Sequence, residues 1–169
     1  MNFDQRKNKG EKAEQFVMDK LRTNGRLLYT PDDGKAHCID MFAMNDIDKS
    51  FVGVEVKTQP VWKRRNGVWV YTFLQRHWNE YVQFMSDYGM DLWLVIVDWK
   101  NNKAQCAMFS TLNKIKFVVH GENDLRQYPM LTEPRENHHD NERKVIVPHE
   151  WFTDLWYITQ DEKKQYEIN

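Results

Sequence analysis

The chain has 169 residues, a formal net charge of −1, 41% hydrophobic and 14% aromatic content. That composition excludes global disorder, and the length is enough for a real core in one domain, 1–169. The longest apolar run, residues 92–97, suits a buried strand and falls far short of a membrane span of about 20 residues. Residues 1–12 are polar and charged, unlike a signal peptide, and Cys38 and Cys106 are too few for a disulfide framework. A cytoplasmic, intracellular protein without membrane association is the expectation.

Residues 9–24 read as a helix, because Ala13, Phe16, Val17 and Leu21 recur at helical spacing and Asn24-Gly25 stops it. At about 100° per residue, Glu14 falls beside Leu21 at the edge of the apolar face, while Glu11 and Asp19 point outward. Strands are expected over residues 26–30, 38–44 and 50–58, separated by the turn-rich 31–34 and 45–49 and closed by Pro60. In the third strand Val52, Val54 and Val56 share one face, and Gly53, Glu55 and Lys57 the other. Asp40 joins that second face if the neighbouring strand has a compatible register.

Residues 68–73 read as another strand and 75–88 as a helix with an apolar stripe of Leu74, Trp78, Tyr81, Val82, Met85 and Tyr88, capped by Gly89. Residues 91–99 and 103–109 form a hairpin turned at Asn101-Asn102, and 115–119 make a further short strand. Residues 121–143 are polar, contain Pro129, Pro134 and a His-rich run at 136–140, and read as an exposed loop. Residues 145–148 form a short strand. A helical turn carrying Trp151, Phe152, Leu155 and Trp156 follows, then a polar tail from Asp161. The helix at 75–88 lets a later strand run parallel to an earlier one, giving a mixed sheet flanked by helices.

Charge is unevenly distributed. Residues 56–79 contain five basic side chains (Lys57, Lys63, Arg64, Arg65, Arg76) and no Asp or Glu, whereas 122–169 carry eleven acids against six Lys and Arg. A basic middle is compatible with a phosphate-binding face. Carboxylates inside sheet segments cost stability unless they are paired or bind a cation. Asp40, Glu55 and the Val56 carbonyl offer the hard oxygen ligands that Mg²⁺ prefers, and Lys57 on the Glu55 face can orient or deprotonate a water or hold developing charge. Glu14 can serve a second metal or a metal-bound water.

Asp40, fourteen intervening residues and Glu55-x-Lys57 resemble the signature of the PD-(D/E)xK nuclease superfamily, the restriction-endonuclease-like fold. Gly10-x-x-Ala13-Glu14 resembles the first-helix motif of archaeal Holliday-junction resolvases, whose helix Glu joins the active site. The element order over residues 9–109 is similar to the αβββαβ core, leaving 110–169 as a C-terminal extension. The resemblance implies Mg²⁺-dependent (or Mn²⁺-dependent) cleavage of DNA by Glu14, Asp40, Glu55 and Lys57, possession of a homodimeric pair of sites, and Gln59 just past the motif as a substrate contact. Ile39 stands where many members have Pro. Gln75 and Tyr81 are six apart, so the Gln-x-x-x-Tyr element of the helicase-nuclease branch is absent.

Trp62, Lys63, Arg64 and Arg65, in a loop past Lys57, are the best candidates for substrate contact, with Arg76 on the following helix. Trp69 and Trp78 read as packing residues. His37, Cys38, Cys106, His138, His139 and His149 lack zinc-ligand spacing. A restriction or repair endonuclease, a catalytically silent nucleic-acid-binding member of the fold and an unrelated α/β interaction domain are the competing readings.

Overall fold

The computed structural model describes residues 3–31, 38–65, 67–114, 130–131 and 143–168. The first helix, α1 (Phe3–Thr23), precedes the strands β1 (Arg26–Tyr29), β2 (Met41–Asn45), β3 (Phe51–Thr58), β4 (Trp62–Lys63) and β5 (Trp69–Leu74). Then come α2 (Gln75–Tyr88), β6 (Leu92–Asp98), β7 (Lys103–Met108) and α3 (Phe109–Lys114). After β8 (Met130–Leu131) and β9 (Lys144–Pro148), a 3₁₀ turn (His149–Trp151) leads into β10 (Thr153–Tyr157) and α4 (Gln160–Gln165).

Among the described residues, ten strands make two sheets. The larger has the order β1-β2-β3-β6-β7-β10, and the smaller β4-β5-β9-β8. Within the first, β3 and β6 are parallel and every other pair is antiparallel. The α2 crossover between β3 and β6 makes that parallel pair possible. Period-two alternation then divides the core. Val52, Val54 and Val56 of β3, with Val95 and Val97 of β6, pack with Ala13, Phe16, Val17 and Leu21 of α1. Leu94 and Ile96 pack on the opposite face with Tyr81 and Phe84 of α2.

Gly53 fits this second face because it has no side chain. A Cβ there would stand 2.9 Å from the Phe84 ring and 3.1 Å from a Leu92 methyl. Gly53→Ala is expected to push α2 off the sheet and cost about 1–3 kcal/mol, read as a lowered urea midpoint with an unchanged slope.

Three expectations are corrected. Leu155 and Trp156 belong to a strand, not a helical turn, because residues 153–157 pair with β7. The polar tail contains α4, nucleated by a capping box in which Thr159 and Glu162 satisfy each other's backbone amides. Tyr166 donates to Asp19 Oδ2 (2.6 Å), and Lys20–Glu162 and Lys12–Glu167 ion pairs hold α4 against α1. On α2 the buried residues are Trp78, Tyr81 and Phe84, whereas Val82 and Tyr88 are exposed. The expected strand at 115–119, and nearly all of the loop at 121–143, lie outside the described residues. Among the described residues no helix is long and apolar enough to cross a membrane.

Candidate active site

The site is built at the end of β3. Alternate residues of that strand turn their backbone groups to opposite neighbours. The Gly53 amide donates to Asp91 O on the β6 side (3.0 Å), while Val54 O accepts from the Asp40 amide on the β2 side (3.0 Å). Val56, two residues on, faces β2 again, beyond the point where β2 begins. Its amide therefore meets a side chain, donating to Asp40 Oδ2 at 2.6 Å. The register pairs Met41 with Val54, which sets Asp40 in the bend just before β2 and brings it alongside Glu55-Val56-Lys57. The Val56 carbonyl lies on this same edge.

Glu55 is 4% exposed. Lys57 Nζ forms an ion pair with Glu55 Oε1, and the Tyr81 hydroxyl donates to the same oxygen at 3.1 Å. Burial pushes the Glu55 carboxyl up to about 8, with the neighbouring Asp40 charge adding and Lys57 only partly offsetting it. Burial likewise raises Asp40, opposed by the Val56 amide and by Lys57. On α1, half-buried Glu14 is raised to about 7, first by burial and then by Asp40. All three carboxyl groups thus have a higher proton affinity than ordinary solvated acids. A cation placed among them would reverse that preference.

Among the described residues no three His, Cys, Asp or Glu side chains are grouped closely enough to hold one metal ion. Glu14 therefore does not complete a ligand set with Asp40 and Glu55. Two carboxylates and a backbone carbonyl still fit Mg²⁺, which commonly takes one or two protein carboxylates and retains waters. The donor set is all oxygen, unsuited to a zinc or copper site.

Two clefts meet at Lys57-Thr58-Gln59. The smaller, about 240 Å³, runs over β5 and α2 past Thr72, His77 and Tyr81. The larger, about 750 Å³, runs over α1 and the end of β6 past Gly10, Glu14 and Trp99. Gln59 lines both and accepts a long contact from the Thr72 amide at 3.4 Å.

The other expected substrate contacts lie apart from these clefts. Trp62 and Lys63 form β4, and Arg64 and Arg65 sit in the turn towards β5. Trp69, expected to be packed, is 49% exposed, with Lys63 Nζ 5.6 Å from its ring centre. Arg76 is exposed on the first turn of α2 and lines neither cleft.

Sequence reasoning missed Tyr81, whose spacing placed it in the apolar stripe. Its ring does pack against Phe109, but its hydroxyl reaches Glu55. Only the register of α2 against β3 reveals that. Because this hydrogen bond lowers the Glu55 pKa, Tyr81→Phe is expected to raise it further. The alkaline shift would be read as the Glu55 carboxyl titration in a carbon-13 pH series, with about 1 kcal/mol of stability lost.

No protein-family model and no curated protein matches this sequence. Solved structures do match. The fold is similar to that of Hjc, a Holliday junction resolvase from the archaeal hyperthermophile Archaeoglobus fulgidus. The TM-score is 0.52 at 11% identity, covering 84% of this chain and 90% of that one. A bacterial homing endonuclease matches with TM-score 0.42 at 18% identity, over 71% of this chain and 82% of its own. A nuclease from a fusselovirus matches with TM-score 0.44 at 13% identity, over 90% and 82%.

Proposed function

We propose that this chain, which has the restriction-endonuclease-like fold of that resolvase, is a divalent-metal-dependent endonuclease hydrolysing DNA phosphodiester bonds. One observation carries the reading. Buried Glu55 and half-buried Asp40, both with raised proton affinity, stand beside Lys57 where two clefts meet.

Asp40, Glu55 and the Val56 carbonyl would hold Mg²⁺, with Mn²⁺ as a substitute and Glu14 acting through water or a second ion. When bound, such an ion supplies positive charge to the scissile phosphate and makes water a better nucleophile. Lys57 faces the clefts and either takes a proton from the attacking water or balances charge on the phosphate. Tyr81 keeps one Glu55 oxygen fixed. The burial that raises the Glu55 pKa also strengthens every charge interaction at this point.

Branched DNA is the leading substrate, supported by Gly10-x-x-Ala13-Glu14 and by the likeness to a resolvase fold. Two symmetric cuts need two sites, so a homodimer is part of the proposal. Trp62, Trp69, Lys63, Arg64 and Arg65 form an aromatic and cationic hairpin suited to base faces and phosphates. The test is a cleavage panel of linear, nicked and four-way-junction DNA with Mg²⁺ or Mn²⁺. Preferential cutting of the junction is expected. Equal cutting of all three would overturn the branched-substrate assignment, and tight binding without cutting would mark a silent member of the fold.

A further inference from the structure

The larger cleft is lined by three lysines besides Lys57. Lys9 comes from α1, Lys100 from the β6–β7 turn, and Lys163 from α4. Among the described residues none of these three has a carboxylate partner. Lysines elsewhere on the same elements do: Lys7 pairs with Glu11, Lys12 with Glu167, Lys20 with Glu162, and Lys164 with Asp161.

The acids nearby are committed in other ways. Asp98, at the cleft wall, accepts from the Val61, Lys100 and Asn101 amides and from the Asn101 side chain. Glu162 and Glu167 face Lys20 and Lys12. Glu14, the other acid among the described lining residues, lies near Lys57 and belongs to the proposed reaction centre. Trp99 adds a second sign. It lines the cleft, is 6% exposed, and its indole Nε1 is buried with no hydrogen-bond partner among the described residues. Buried donors are nearly always paired, so an unpaired indole N–H in a residue of the cleft wall is unusual.

We infer that the Lys9–Lys100–Lys163 cleft is a phosphate track. It grips the nucleic-acid backbone on one side of the scissile bond and feeds it towards Lys57. The inference rests on the nucleic-acid substrate proposed above and assigns a role to α4, outside the αβββαβ core. The capping box and the Lys20, Lys12 and Asp19 contacts then do more than stabilise a terminal helix: they hold Lys163 over the cleft. Lysine suits a track better than a reader, since it meets phosphate as a point charge without bidentate geometry.

The test measures binding without cleavage, by fluorescence anisotropy of a labelled DNA duplex in EDTA over a salt series. The K100Q/K163Q protein is expected to bind about tenfold or more weakly, with the slope of log K against log salt reduced by about 2. K100R/K163R should retain the wild-type slope, which separates lost charge from damaged structure. Lys49→Gln, whose lysine pairs with Asp46 on the β2–β3 turn, should also leave it unchanged. An unchanged slope in K100Q/K163Q overturns the track, as does failure of the wild type to bind. Wild-type binding without cutting, still lost in K100Q/K163Q, would remove the nuclease proposal and leave the track standing.

Discussion

Glu55→Gln protein is expected to cut no DNA and yet to melt higher than the wild type at pH 8.5 in EDTA, by roughly 5 °C or more. The folded protein raises the Glu55 carboxyl from 4.5 to about 8. Between those values the folded state keeps a proton that the unfolded chain has released. The stabilising contribution is therefore whole below pH 4.5 and lost as pH rises through about 8. Asp40 and Glu14 shift in the same direction, so they add to the loss without changing its sign. One pKa unit is about 1.4 kcal/mol, and about 1 kcal/mol moves the melting point of a chain this size by about 2–4 °C. Gln presents the same shape, still accepts from the Tyr81 hydroxyl, and carries no charge to bury. The gap should close towards pH 5, where wild-type Glu55 is already neutral. Added Mg²⁺ should raise only the wild-type melting point, and more at pH 8.5 than at pH 5, because ligand binding to the folded state stabilises by mass action. A pH-independent difference between the two proteins would show that Glu55 is not held protonated.

Lys57→Ala is expected to lower kcat by about 10²–10⁴-fold with a smaller change in KM. Lys57 lines both clefts and pairs with the buried Glu55 carboxylate. Removing it takes away an amine at the reaction centre and also a charge that lowers the Glu55 pKa. The second effect makes the variant less stable than the wild type at pH 8.5 without metal, so activity must be compared below the melting transition. Lys57→Arg separates the two chemical roles, because a guanidinium keeps its proton in proteins. Activity within about tenfold of the wild type would assign charge stabilisation. A loss as deep as that of Lys57→Ala would assign proton transfer or a geometry that Arg cannot reproduce. Single-turnover cleavage at saturating DNA is the measurement.

The parts of this site that lie on one element were legible in the sequence. Strict alternation in β3 put Glu55 and Lys57 on one face and the valines on the other, and helix phase selected Glu14 from the acids of α1. These are local periodicities, and tertiary packing did not disturb them. Residues brought in by distant elements were not legible. The Tyr81 hydroxyl depends on how α2 lies over β3. Lys100 and Lys163 depend on a turn and a terminal helix converging on α1. Trp69 was read as a packing residue when a single mixed sheet was expected, whereas β5 pairs with β4 and β9 in a second sheet and Trp69 is exposed. β10 was misread because Trp151, Phe152, Leu155 and Trp156 also match helical spacing, and only pairing with β7 decides between the two. The α4 helix did carry a signal, Thr159 followed three residues later by Glu162, which its polar composition obscured.

The most direct test of the site is cleavage of a four-way-junction DNA by wild-type and Asp40→Ala proteins side by side, each with Mg²⁺ and with EDTA. Product is expected only from the wild type with Mg²⁺, both proteins remaining folded by circular dichroism. Equal product from Asp40→Ala, or undiminished cutting in EDTA, would contradict the metal-site assignment.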